Sequence, residues 1–298
     1  MMSRTVILIL SLVLLFFSPV LFNGFCGDDN GLFVENSFYK DLANLPRVFN
    51  SGYNISGHDM LYAGLTDKGS GSVAYRPVTT LSFFFDTALW GSVPAGFHLT
   101  SLLLHLINVL LLYRIACFLF DRRIGFMAAL IFGLHPVNSE AVAAIAYRSD
   151  LLAAFFVLAG FWAWISLRRQ SPGRALVLCA AAYGLALFSN ESAILFPLVL
   201  WGFAAARDRE QPVHLKRIYH AVFPLLACGY LYLYLFVFPN KALGEAPAVM
   251  GTMASYAMVF IQTMGFYLKQ VFWPFSAGVV PALYSFLPAQ PLAWGFII

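Results

Sequence analysis

Five short stretches hold most of the groups in this sequence that are able to move a proton or grip an anion. They are FCGDDNG (25–31), YRP (75–77), HPVNSE (135–140), YRSD (147–150) and FSNES (188–192). They supply the paired carboxylates Asp28 and Asp29, the arginines Arg76 and Arg148, and the polar set His135, Glu140, Asp150, Asn190 and Glu191. A positioned carboxylate takes the proton of an attacking hydroxyl. An arginine fork holds a phosphate through two parallel hydrogen bonds. In an extended loop successive side chains point oppositely, so one aspartate of the pair is expected to face a reactant while its neighbour anchors the loop. If both faced inward, repulsion would raise one pKa unless a cation sat between them. On this reading Asp28 is the base and Asp29 the positioning group.

The elements that must position these groups follow from composition. The chain has 298 residues, 60% hydrophobic and only 11% charged, which lies outside the range of soluble domains. It is read as an all-α polytopic integral membrane protein, a single bundle over residues 1–298. A bilayer core of about 30 Å takes roughly 20 helical residues. On that ruler spans fall near residues 5–22, 98–120, 124–139, 150–167, 175–189, 192–206, 219–238 and 251–271. A ninth begins near Pro291, and AWGFII at the end, with no polar flank, looks like the edge of a longer protein. The first apolar run is longer than a signal peptide's, so an uncleaved span is expected. Cys26, Cys117, Cys179 and Cys228 are scattered, three of them in apolar runs, so they read as small buried hydrophobes rather than a metal site or disulfide framework.

Arg4, Arg114, Arg122, Arg123, Arg168, Arg169, Arg174, Arg207, Arg209, Lys216 and Arg217 fall at span ends of one parity, which marks the cytoplasmic side. With Lys269 unassigned, the other side holds six basic residues and eleven of the fourteen acidic ones. The loop over 23–97 is therefore expected outside. Its second half spaces Leu81, Phe84, Phe85, Ala88 and Leu89 as a helix lying along the interface. The polar turns after the third and fifth spans face the same side, and charge inside a bilayer is costly. Asp28, Asp29, Arg76, His135, Glu140, Arg148, Asp150 and Glu191 are thus expected to converge at one depth. A structural ion-pair network among Glu140, Arg148 and Asp150 is the competing reading. His98 and His105 read as packed, hydrogen-bonded core residues before metal ligands.

AYRPVTTLSFFFDTALWGSVPAGFHLTSLLLHLIN, AALIFGLHPVNSEAVAAIAYRSDLL and LALFSNESAILFPLVL together resemble the membrane half of the transmembrane and tetratricopeptide-repeat O-mannosyltransferases. That family belongs to the GT-C glycosyltransferases, and the resemblance runs from the DD loop to FYLKQVFWP. It implies a GT-C-like bundle of about eight or nine spans that transfers a sugar from a polyprenyl-phosphate carrier to an acceptor hydroxyl with inversion. It also implies that Asp28 and Asp29 supply the catalytic carboxylate, and that Arg76, His135, Glu140, Arg148, Asp150, Asn190 and Glu191 meet donor phosphate or substrate. One departure stands out. The family usually carries lysine where this chain has Asn190, so another cation must compensate here. The absent repeat array is read as lying beyond the chain.

Physical chemistry points the same way. Nucleotide sugars are cytoplasmic, so an acidic site outside needs a donor that crosses the membrane, and a sugar on a lipid phosphate is one. The leaving group is already a phosphate, so no carboxylic acid is needed to protonate it. The implied partners are that donor, a protein or glycan acceptor and the lipid bilayer, with no nucleic acid. No particular cofactor is indicated, and a divalent metal is left open. The expected membrane is a bacterial inner membrane, or the endoplasmic reticulum in a eukaryote, where Asn54 of Asn54-Ile55-Ser56 would be a glycosylation acceptor. A lipid or solute transporter and a non-catalytic scaffold for a repeat array are the alternatives.

Overall fold

The computed structural model of the protein describes residues 4–26, 29–34, 37–49, 75–207, 213–237 and 253–273. Asp28, Asn54 and the expected ninth span lie outside the described residues. Among those described, every regular element is helical. The α-helices are α1 (Arg4–Phe17), α2 (Pro77–Trp90), α3 (Pro94–Leu119), α4 (Arg122–Leu134), α5 (Ser139–Ala143), α6 (Arg148–Leu167), α7 (Pro172–Leu187), α8 (Phe196–Arg207), α9 (Val213–Tyr232) and α10 (Met253–Phe272). Residues 1–134 and 138–244 form one compact unit, and 135–137 with 245–298 form a second.

Proline and glycine punctuate the chain. Pro77, Pro94 and Pro172 open α2, α3 and α7, where the missing N–H costs nothing and φ is already helical. Gly91 takes φ +62° between α2 and α3, a value that L side chains resist. Pro136 disfavours helical geometry at His135, and α4 stops at Leu134. The straight span expected over 124–139 is corrected accordingly: α4 and the Pro136–Ala143 segment are bent by 48°.

Arg4–Phe22, α3 and Ile145–Leu167 are each long and apolar enough to cross a membrane, and the bent pair makes a fourth if counted as one span. This is a multi-pass membrane protein. Each of the eight expected spans falls on a helix, but α7 and α8, of 16 and 12 residues, rise only about 24 and 18 Å. The span expected from residue 150 starts earlier, so Arg148 and Asp150 sit in the first turn of α6.

Three apolar clusters fill the first unit. One joins Trp164 of α6 and Tyr183 of α7 to Phe196, Leu200 and Phe223 of α8 and α9. Another packs Ile9, Val13 and Phe17 of α1 against Leu102 and Val109 of α3 and Ala129 of α4. At Gly133 a Cβ would meet Val13 Cγ2 at 2.7 Å, so only glycine lets α1 and α4 approach this closely. The third cluster is aromatic and underlies the first loop: Phe33, Phe38, Tyr39, Phe83, Phe84 and Phe97. His105 is buried in α3 and hydrogen-bonded to the Gly133 carbonyl at 3.0 Å. Of the four cysteines only Cys179 is buried, while Cys228 is exposed, which corrects the uniform expectation for them.

The helix expected along 75–91 is present as α2, but a different face packs. Thr79, Thr80, Phe83, Phe84 and Asp86 are buried, whereas Phe85 and Leu89 of the expected stripe are exposed. Polar bonds dictate this. Thr79 Oγ1 donates to the Ser189 carbonyl at 3.0 Å and Val78 N–H to the Phe188 carbonyl at 3.1 Å, which docks the start of α2 on the FSNES turn.

Candidate functional site

The segment Ile145–Asp150 is the hub of the polar end of the first unit. Successive helical residues are turned by about 100°, so Arg148 addresses other neighbours than Ser149 and Asp150 do. The turn Ile145–Tyr147 ahead of α6 is held from the first loop by Asp29. Its carboxylate accepts the N–H groups of Ala146 at 2.8 Å and Ile145 at 3.4 Å, and Asp29 is completely buried. Burial pushes its pKa above the usual aspartate value, and those N–H donors together with nearby His98 only partly offset it.

Arg148 and Asp86 form a fully buried ion pair, Nη1 to Oδ2 at 2.6 Å. Thr100 donates to Asp86 Oδ1 at 2.7 Å. Arg148 also donates from Nε to Ser101 Oγ at 3.1 Å and from Nη2 to the Phe97 carbonyl at 2.8 Å, and it stacks over Phe83 at 5.0 Å. The Asp86 pKa is raised by burial, with Arg148 and Thr100 pulling the other way. Arg148 is thus committed to tying α6 to α2 and α3. Asp86 went unnoticed in sequence, although one acid inside FFFDTALW signals a buried charge that needs a cation.

The remaining groups meet at a half-buried corner. Arg76 grips Glu191 bidentately, Nε to Oε2 at 2.9 Å and Nη2 to Oε1 at 2.7 Å, and its Nη1 donates to Ser149 Oγ at 3.2 Å. Burial alone would raise the Glu191 pKa, but the Arg76 hydrogen bonds and charge outweigh it and hold the carboxylate below its usual range. Asn190 Nδ2 donates to Asp150 Oδ1 at 2.6 Å and to Ser149 at 3.3 Å, while its Oδ1 caps Ser192 N–H at 2.9 Å. Three of the five Arg76 N–H donors are used in these bonds, leaving two for another partner. Tyr230 of α9 is 4% exposed, and its hydroxyl finds no hydrogen-bond partner among the described residues. It lies within electrostatic range of Arg76 and Glu191. Nothing in the sequence separated Tyr230 from the surrounding aromatic run.

Glu140 is exposed in the first turn of α5, within electrostatic range of Asp150. His135 belongs to the second unit. There its Nδ1 accepts the Val137 N–H at 3.1 Å, so Nε2 carries the proton and donates to the Val271 carbonyl at 3.0 Å. Among the described residues no group of three or more His, Cys, Asp or Glu side chains is arranged to hold a metal ion.

The segment that builds Asp86, Arg148, the Asn190 turn and Tyr230 is also the one that matches a known family. The profile of the dolichyl-phosphate-mannose-protein mannosyltransferases covers residues 77–237. The chain belongs to that family. Among its relatives is Protein O-mannosyl-transferase TMTC3 of Mus musculus, 27% identical over 174 residues, 58% of this chain and 18% of that protein. Protein O-mannosyl-transferase TMTC1 of Mus musculus is 33% identical over 168 residues, 54% of this chain and 18% of its own length. Protein O-mannosyl-transferase Tmtc1 of Drosophila melanogaster is 32% identical over 178 residues, 57% and 19% respectively. The matches thus take in under a fifth of these relatives' length. No solved structure matches the chain. The chain is therefore a GT-C-type family member resembling the O-mannosyltransferases of that group.

Proposed function

We propose that this chain forms the membrane half of a glycosyltransferase. It moves mannose or another hexose from a polyprenyl-phosphate carrier to a hydroxyl of a protein or glycan acceptor, on the extracytoplasmic side and with inversion. The observation that carries this reading is the convergence of Asp29, Arg76, Asp150, Asn190 and Glu191 around Ile145–Asp150, beside and within the family-matched segment. The full fold in this reading has eight or nine spans, with the basic span ends in the cytoplasm. The animal relatives favour the endoplasmic reticulum over a bacterial inner membrane.

Asp29 has both carboxylate oxygens engaged and no exposure, so it serves as the anchor. Asp28, next to it in the chain, is then the base that takes the acceptor's proton as the anomeric carbon–oxygen bond to phosphate breaks. Arg76, oriented by Glu191 and Ser149, offers its two remaining N–H donors to the departing phosphate. Arg148 acts through the helices it ties together and is a positioning residue, as is Asp86. Asp150 and Glu140 line the acidic side of the same corner. With Glu191 and Asp150 against Arg76, the corner carries no surplus of positive charge, which makes the lysine-to-asparagine departure at Asn190 consequential.

The test is transfer by the purified full chain from labelled polyprenyl-phosphate mannose to a serine- and threonine-containing peptide. Asp28→Asn is expected to abolish turnover with folding unchanged, whereas Asp29→Asn also lowers stability, by about 1–3 kcal/mol for the one backbone donor that its amide nitrogen leaves stranded. Full turnover in Asp28→Asn would overturn the assignment of the base. The scaffold reading draws on Asn190. It predicts no turnover in the wild type and none in Asn190→Lys, whereas an enzyme short of one cation should bind donor more tightly in that variant.

A further inference from the structure

Tyr230 closes the half-buried corner from α9. Its ring stands edge-on to Phe188 of the FSNES turn, with centroids 5.7 Å apart, and lies 5.9 Å from the Tyr234 ring. Phe188 in turn meets Tyr75, the neighbour of Arg76, edge-on at 6.3 Å. These contacts fix the ring and with it the hydroxyl. That hydroxyl is buried and has no hydrogen-bond partner among the described residues. Glu191 and Arg76 both act on it electrostatically, Glu191 the more strongly. The side chains of Arg76 and Glu191 are 26% and 39% exposed, so the hydroxyl lies deeper than the ion pair that opens to the outside.

The plain explanation is packing, since Tyr230 belongs to the apolar cluster of α6 to α9. A phenylalanine would fill that space equally well and would avoid the cost of a buried O–H that donates to nothing. A trapped water would satisfy the hydroxyl in every state of the chain, and so would leave no trace in ligand binding. The corner offers a third account. Arg76 keeps two N–H donors after its bonds to Glu191 and Ser149. Glu191 and Asp150 stand against it, and their charge opposes an incoming phosphate. A neutral O–H escapes that opposition, because it brings no charge for the carboxylates to claim, and O–H···O⁻ bonds are short and strong. The π-helical turn Leu233–Val237 directly follows α9, and such turns recur at functional sites.

We propose that Tyr230 is a donor-binding residue, whose hydroxyl gives a phosphate oxygen of the polyprenyl-phosphate sugar a third hydrogen bond beside the two remaining N–H groups of Arg76. The inference deepens the proposed transfer reaction and rests on it. A shift of α9 at its π-helical end opens the hydroxyl as the phosphate enters, so the O–H takes its partner only in the donor-bound chain.

Binding and turnover are measured separately. Polyprenyl phosphate without a sugar is titrated into the full chain in detergent by thermophoresis, and transfer from labelled polyprenyl-phosphate mannose gives a KM for donor and for acceptor. Tyr230→Phe keeps the ring and its packing. It is expected to weaken polyprenyl phosphate binding about tenfold and to raise the donor KM by about as much, with the acceptor KM and the unfolding temperature held. Wild-type binding that Tyr230→Phe leaves unchanged overturns the role of Tyr230 and leaves the transfer reading standing. A lowered unfolding temperature with both KM values raised makes Tyr230 a packing residue and also overturns it. Binding that depends on Tyr230 in a chain that transfers nothing supports the site and overturns the reaction. A wild type that binds no polyprenyl phosphate overturns both.

Discussion

Asp86→Asn tests how the site is held together. The substitution keeps the shape and one acceptor for Thr100 but removes the charge facing Arg148, whose guanidinium is completely buried. Removing one partner of a buried ion pair strands the other charge, and the cost runs to about 3–5 kcal/mol. That is a large share of the roughly 5–15 kcal/mol that keeps a protein folded. Replacing both partners by apolar residues of similar size, Asp86→Leu with Arg148→Met, removes the stranded charge and is expected to cost less than Asp86→Asn alone. Unfolding in mixed micelles, followed for both single variants and the pair, measures the coupling. The pH dependence supplies a second reading. The folded chain holds the Asp86 proton more tightly than the unfolded chain does. Its contribution therefore favours folding at low pH and declines as pH rises from about 3.9 through the raised value. Asp86→Asn should remove that slope. A cost below about 1 kcal/mol for Asp86→Asn, or a double variant as unstable as the two singles combined, would refute the argument that this pair is the clamp.

Three further outcomes follow from the half-buried corner. Arg76→Ala should raise the KM for the polyprenyl-phosphate donor more than that for the acceptor; a rise confined to the acceptor would contradict its placement on the phosphate. The Glu191 pKa is depressed, so the stability that it contributes is complete above about pH 4.3 and is lost as pH falls through the lowered value. With Glu191 39% exposed, that share is at most about 1 kcal/mol, and Glu191→Gln should flatten the acid limb of a pH–stability curve. Tyr230→Phe removes a buried hydroxyl without a described partner, so it should leave stability unchanged or slightly raised. Donor affinity should nevertheless fall; unchanged affinity would reduce Tyr230 to packing.

Much of the fold was legible because bilayer thermodynamics leaves few choices. A chain this apolar must satisfy its backbone internally, and the first eight expected spans overlap helices among the described residues. Boundaries slipped where local chemistry intervened: Pro136 broke the third span, and the turn at Ile145–Tyr147 moved the start of α6 ahead of Arg148. The α2 helix shows the limit of reading periodicity. Its apolar stripe suggested one buried face, yet Thr79 and Asp86 hold another against the bundle, because satisfying polar groups outweighs exposing Phe85 and Leu89.

What the sequence alone determined was the inventory: paired aspartates, two arginines and two polar turns, expected to face one end. Tertiary structure alone decided the pairing. Arg148 was expected beside Glu140 and Asp150 or on the donor, and it is Asp86, 62 residues earlier, that it meets. Asp29 was expected to be the positioning member of its pair, but only the packing set it on the N–H groups of Ile145 and Ala146. Composition and spacing specify which charges a helix carries, but the partner of each depends on which helices pack together and at what rotation. Those are set by the shapes of side chains far away in sequence.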